Sequence, residues 1–197
     1  CEAGKAQPAQ GSTSCSLCAV GKWANVQGST ECSSCPPGSS CPREGMSTPE
    51  ECPIGQYADT KVSRSCRSCL AGRYQNSTGS AKCTECMAGT FNAEKGSVNI
   101  TDCEMCEAGK YAPQAGSSLC LPCGKDSITA SAGKNTVCDA CPKGKTTVDD
   151  ANESGLGANT CVDANLPCSA GQYRVSKGRQ CEECGAGFYS PSGSGCL

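Results

Sequence analysis

The stretch Cys69-Leu-Ala-Gly72-Arg-Tyr74, followed by Gly79-Ser80 and then Cys83-Thr-Glu-Cys86, decides the fold. Its first cysteine belongs to a series spaced 17 residues apart: Cys1, Cys18, Cys35, Cys52, Cys69 and Cys86. A second series follows 14 residues behind, at Cys15, Cys32, Cys66 and Cys83. A fixed period of this kind marks a tandem repeat. Seventeen residues bury too little apolar surface to hold themselves together, so the cysteines must do so.

Composition agrees. The chain has 197 residues, of which Leu, Ile, Val and Phe supply only 20, whereas cysteine supplies 22. The aliphatic share is that of a disordered chain, but the net charge is only −2 and the cysteine share is that of a disulfide scaffold. An even count allows complete pairing. Such a density points to an oxidising compartment, outside the cell or at its surface. No apolar run is long enough to span a bilayer, so no membrane contact is expected within this segment. The pI of 5.3 and the lack of a basic cluster argue against nucleic acid.

Written generally, the repeat is C-x-x-G-x-aromatic, a polar loop, G-S-x-x-C, two residues, and the next first cysteine. The first glycine is supplied by Gly4, Gly21, Gly38, Gly55, Gly72, Gly89, Gly109, Gly144, Gly171 and Gly187. The aromatic is Trp23, Tyr57, Tyr74, Phe91, Tyr111, Tyr173 or Tyr189. A second glycine reverses the loop at Gly11, Gly28, Gly79, Gly116 and Gly157. The aromatic, as the one large apolar group per repeat, is expected to pack on a neighbouring disulfide or on the next repeat's glycine. Ala6, Ser40 and Thr146 take the aromatic's place in three repeats, and Asp126 and Ile128 replace glycine and aromatic in a fourth. Looser joints are expected there. Gly interrupts every candidate helix, so the fold class is small disulfide-rich tandem repeats: an extended rod of short β-hairpins and irregular loops with almost no helix.

The domain reading is an array of nine repeats over residues 1–161, starting at Cys1, Cys18, Cys35, Cys52, Cys69, Cys86, Cys106, Cys123 and Cys141. A spacer follows at 162–167, then two further repeats over 168–197, with the array expected to continue beyond. Pro49 stands where the Cys35 repeat should close, and Cys41 is offered instead. The loops before Cys103 and Cys161 are lengthened.

Sequence does not fix which cysteines pair. A sequential scheme uses all 22. It joins Cys1 to Cys15, Cys18 to Cys32, Cys35 to Cys41, Cys52 to Cys66, Cys69 to Cys83 and Cys86 to Cys103. It continues with Cys106 to Cys120, Cys123 to Cys138, Cys141 to Cys161, Cys168 to Cys181 and Cys184 to Cys196. A crossed scheme consumes cysteines in fours, which 22 does not satisfy unless the array is cut. Both stay open here, the sequential one preferred.

Other chemistry is weaker. Eight C-x-x-C pairs approach zinc-ribbon spacing, but each is also a repeat joint, and there is no His. Without His, Ser-His-Asp and Cys-His catalysis is excluded within this stretch. Glu50-Glu51, Asp149-Asp150 and Glu182-Glu183 read as solvated loop charges. The oxygen-rich loop from Asp149 to Glu153 lacks an EF-hand pattern. No catalytic, cofactor-binding or metal residue is assigned, and no cofactor is expected. The sequons at Asn76, Asn99 and Asn152 lie in polar loops and are glycosylation candidates; Ser- and Thr-rich loops are candidates for O-glycans.

The run Cys52-Pro-Ile-Gly55-Gln-Tyr57 … Cys66-Arg-Ser-Cys69-Leu-Ala-Gly72-Arg-Tyr74 resembles the cysteine-rich repeats of ephrin receptors, and is similar to the first loop module of TNF-receptor repeats. Long arrays with C-P-P-G-x-x-C variants such as Cys35 to Cys41 resemble surface proteins of algae and other protists, some of them in extracellular filaments such as flagellar hairs. The resemblance implies a non-enzymatic extracellular glycoprotein forming a stalk, coat or filament segment, with self-association or other extracellular proteins as partners. The alternative is a receptor or adhesion ectodomain that binds a protein ligand. It carries no ligand-contact residue to this chain.

Overall fold

The computed structural model describes residues 1–9, 11–12, 14–147, 156–163, 172–174 and 181–183. Two compact units divide the chain. The first holds Cys1–Glu104 with Gln114–Leu119; the second holds Met105–Pro113 with Cys120–Leu197.

In the first unit each repeat folds into one minimal antiparallel hairpin. The strand after the first glycine pairs with the residues between the closing cysteine and the next first cysteine. β1 (Lys5–Ala6) pairs with β2 (Ser16–Leu17), β3 (Lys22–Trp23) with β4 (Ser33–Ser34), and β5 (Ser39–Ser40) with β6 (Glu50–Glu51). β7 (Gln56–Tyr57) pairs with β8 (Arg67–Ser68), and β9 (Arg73–Tyr74) with β10 (Thr84–Glu85). β11 (Thr90–Phe91) precedes a single 3-10 turn, Ile100–Asp102, and β12 (Glu104–Met105) ends the stretch. Two residues per strand could not hold a hairpin alone. A disulfide closes each one except that of the Cys35 repeat, whose bridge ends at Cys41, while the glycine starts it: in the Cys69 repeat the Arg73 N–H donates back to the Leu70 carbonyl, and the Cys86 N–H donates to the Gly72 carbonyl.

Neighbouring repeats are joined by main chain, and each of the first five joints, from the Cys1 repeat to the Cys86 repeat, carries the same three hydrogen bonds. Between the Cys69 and Cys86 repeats, the Gly72 N–H donates to the Asn92 carbonyl (2.7 Å) and the Gln75 N–H to the Ser97 carbonyl (3.0 Å). The Gly96 N–H returns to the Cys69 carbonyl (2.8 Å). Contact also reaches one repeat further. A Cβ built on Gly72 would lie 2.0 Å from the carbonyl oxygen of Gly116, two repeats on, and one on Gly38 would lie 2.1 Å from that of Gly79. That space is filled by backbone, so the aromatic cannot rest on the glycine as the sequence suggests. The rings sit half-buried beside the axis; among the described residues Trp23 alone packs into a cluster, formed by Cys35, Cys41 and Met46.

The centre of the unit is made of sulfur and small side chains. Cys18, Cys35, Cys52 and Cys69 are fully buried. Buried with them is the residue six places after the first cysteine in the five repeats from Cys18 to Cys86: Ala24, Cys41, Ala58, Gln75 and Asn92. The looser joints expected at Ala6 and Ser40 are not found. Both side chains are buried, and their repeats keep all three joint bonds at 2.7–3.1 Å. The joint is main chain, so it does not depend on the side chain beside it.

The second unit repeats the plan. β13 (Lys110–Tyr111) pairs with β14 (Leu121–Pro122) and β15 (Ser127–Ile128) with β16 (Asp139–Ala140). β17 (Lys145–Thr147) pairs with β18 (Cys161–Asp163) and β19 (Gln172–Arg174) with β20 (Cys181–Glu183). Gly109, Ala112 and Gly133 make the three-bond joint at 2.8–2.9 Å. Asp126 keeps the turn that glycine makes elsewhere. Its φ is +61°, which Asp tolerates better than most residues. Its N–H donates to Thr147 Oγ1 (3.0 Å), and its carboxylate accepts from Thr146 Oγ1. Thr146 is buried too, and the joint from its repeat to the next, where the sequence suggests looseness, lies outside the described residues.

Candidate functional site: the disulfide ladder and its polar loops

Nine disulfides lie within the described residues, and all are sequential. In the first unit they join Cys1 to Cys15, Cys18 to Cys32, Cys35 to Cys41, Cys52 to Cys66, Cys69 to Cys83 and Cys86 to Cys103. The ladder continues with Cys106 to Cys120, Cys123 to Cys138 and Cys141 to Cys161. The Cys123–Cys138 bridge spans 15 residues where most span 14, and β15 and β16 still pair beside it. The crossed scheme is thus not the one this fold adopts among the described residues. The expected pairs Cys168–Cys181 and Cys184–Cys196, with the spacer beyond Asp163, lie outside the described residues. Cα–Cα separations of 5.4–6.0 Å fit the bond's geometry. No cysteine is free among the described residues. The two sulfurs of a C-x-x-C therefore face opposite ways along the chain: Cys66 is bound to Cys52, and Cys69 to Cys83. That commitment leaves these pairs no thiolate with which to bind zinc or exchange electrons.

The charges lie outside the ladder and pair locally. Arg73 meets Glu85 across β9 and β10 at 2.7 Å, Arg43 meets Glu50, and Arg67 meets Asp59. The Arg67 guanidinium also lies over the Tyr57 ring, 5.1 Å from its centroid. Glu50 and Glu51 have separate partners, since Glu51 accepts from Thr78 Oγ1 (3.1 Å) of the Cys69 repeat. They do not form an acid pair. Asp149-Asp150 lies outside the described residues, as do the side chains of Glu182 and Glu183. Among the described residues no group of three or more His, Cys, Asp or Glu is placed to hold a metal ion. In the second unit the exposed Glu107 carboxyl is held below its ordinary range by the Lys110 ammonium, first through the hydrogen bond (2.8 Å) and then through its charge.

The sequon loops are exposed. Asn76 is exposed, and its Oδ1 accepts from Ser77 Oγ (3.2 Å). Asn99 caps the 3-10 turn: its Oδ1 accepts from the Thr101 N–H, and Asp102 Oδ2 accepts from the Val98 and Asn99 N–H groups (both 3.0 Å). Beside this turn lies a cavity of about 420 Å³, lined among others by Phe91, Glu94, Ser97 and Asp102. Asn152 lies outside the described residues.

Residues 55–103 and 101–136 match the family model described as tyrosine-protein kinase ephrin type A/B receptor-like. These segments are similar to ephrin-receptor-like cysteine-rich repeats. No curated protein matches the chain. The ephrin-receptor-like segments contain three features that carry the architecture: the serial disulfides, the glycine that meets backbone two repeats on, and the main-chain joint.

Sequence reading missed half of that joint. Counted ten places from each first cysteine, the reversing residue is Gly11, Gly28, Gly45, Val62, Gly79, Gly96, Gly116 and Gly133. Gly45, Gly96 and Gly133 escape a search tied to the closing cysteine, because the loop length behind them varies. Counting from the first cysteine would have found them. The buried small residue at place six would have emerged the same way.

Among the described residues, no helix is long and apolar enough to cross a membrane.

Proposed function

We propose that this chain is a non-enzymatic extracellular structural protein whose repeats form a load-bearing stalk, coat or filament segment. The observation that carries this reading is the joint: three identical main-chain bonds and a backbone-filled glycine, repeated with little regard to surface side chains. Nine buried or half-buried disulfides require an oxidising compartment to form. Exposed Asn76 and Asn99 offer attachment points for N-glycans, and the Ser- and Thr-rich loops for O-glycans. Partners are other copies of the chain or neighbouring extracellular proteins. Electron microscopy of native material tests this: filaments, coats or stalks are expected, and dispersed monomers at physiological salt would count against self-association.

The family match favours a second reading, a receptor or adhesion ectodomain that binds a protein ligand along its loops. A membrane span followed by a kinase or death domain in the complete gene product would support it; further repeats would support the scaffold.

A further inference from the structure

Serial disulfides decide where tension runs in this chain. When the ends are pulled, a closed loop is bypassed through its sulfur bridge, and only residues between one bridge and the next carry load. For most repeats those are the two residues of a C-x-x-C: Arg67-Ser68, Thr84-Glu85 and their counterparts. The Cys35 repeat differs. Its bridge closes after six residues, at Cys41, so Pro42–Glu51 lies in the load path instead of behind a bridge. Among the described residues no other loop is exposed to tension in this way.

That loop is held by contacts weaker than a covalent bond. The Gly45 N–H donates to the Cys18 carbonyl (2.8 Å), and the Gly45 carbonyl packs on Gly4, two repeats back. Met46 is buried against Trp23 and the Cys35–Cys41 sulfurs. Arg43 pairs with Glu50, and β5 pairs with β6. We infer that residues 42–51 are a tension-yielding element, which lets go under load and lengthens the chain while every disulfide stays intact. The missing closing cysteine at Pro49 is then a functional feature and not a defect. Its use in the organism rests on the load-bearing reading above, whereas the yielding is a property of the chain itself.

Pulling the full chain by its two ends in an optical trap, without reductant, tests this. At about 3.5 Å per residue the released loop adds roughly 30 Å, against roughly 10 Å at most for a C-x-x-C joint. The spacer between Cys161 and Cys168 also carries load, so variants make the assignment. Cys41→Ser with Pro49→Cys restores the 14-residue loop spacing of the other repeats and should remove the step. Met46→Ala leaves the covalent path unchanged and should speed yielding at fixed load by at least about tenfold, through lost packing. Absence of the step in the natural chain would overturn the inference, as would its survival in the double variant or a rate unmoved by Met46→Ala. Failure of the stalk reading would show separately, as monomers in the microscope from a chain that still yields.

Discussion

Gly72 and Gly28 share a left-handed backbone, with φ of 83° and 81°, but not a neighbourhood. A Cβ on Gly72 would meet the Gly116 carbonyl oxygen at 2.0 Å, while one on Gly28 would meet nothing within 4 Å. Gly28→Ala should therefore cost only the conformational term, about 1 kcal/mol. Gly72→Ala adds a collision with backbone that no rotamer can relieve. It should cost several times as much and speed hydrogen exchange at the amides of Gly72 and Gly116, a comparison that non-reducing NMR can make. Equal effects at both sites would show that the close approach contributes nothing. Val62 offers the reverse case. It holds φ at +68° in a position that glycine fills in the neighbouring repeats, and a β-branched residue is strained there. Val62→Gly should stabilise the Cys52 repeat by about 1 kcal/mol, read from the exchange of the Val62 and Cys69 amides; no gain would mean that Val62 Cγ1, which reaches the space beside Gly21, compensates through packing. The glycines were visible in the sequence as turn residues. Their second role was not, because the atom that demands it is a main-chain oxygen 44 residues away, and backbone leaves no side-chain pattern to read.

The repeat is the element of this fold, and its hairpin was legible because one spacing does most of the work. Two cysteines 14 apart, with Gly at the fourth residue, leave the chain few ways to close. The aromatic misled in part: Trp23 does pack on the neighbouring Cys35–Cys41 bridge, but no ring rests on a glycine among the described residues. A ring every 17 residues looks like the core of a repeat with little else apolar, but the interior is too narrow for it. Fully buried cysteines and residues as small as Ala58 occupy the interior, whereas Tyr57 and Tyr74 are only half-buried. Stability should follow the bridges more than the rings. Replacing Cys69 and Cys83 together by Ser opens a loop of about 15 residues, which is worth roughly 3 kcal/mol in the chain-entropy account. Tyr74→Ala removes a half-buried ring and should cost about half of that or less. Denaturant titration with exchange readout on this repeat checks the order; a greater loss from Tyr74→Ala would reinstate the aromatic as its core.

At the scale of the molecule, the chain reads as a ladder of closed loops on a short load path, with polar loops turned outward. Two of those loops carry exposed sequons. Secretion from a eukaryotic host should give glycopeptides containing Asn76 or Asn99, and N-glycosidase should remove the added mass; bare peptides at both sites would confine the loops to protein contacts. Legibility at this scale was uneven. Parity and spacing favoured the ladder over a crossed scheme without fixing it, whereas nothing in the sequence pointed to the division after Glu104 or to the place of Gln114–Leu119 in the first unit. That loop belongs covalently to the Cys106 repeat, but its main chain bonds backward, from the Gly116 N–H to the Cys86 carbonyl (2.8 Å). Load path, joints and outward loops all depend on the bridges being sequential. Digestion with trypsin and a Glu-specific protease under non-reducing conditions cuts after Arg67 and Glu85, which separates Cys66 from Cys69 and Cys83 from Cys86. Mass spectrometry should then find the Cys69 peptide joined to the Cys83 peptide, and Cys66 to Cys52. A Cys69–Cys86 or Cys66–Cys83 link would contradict the account.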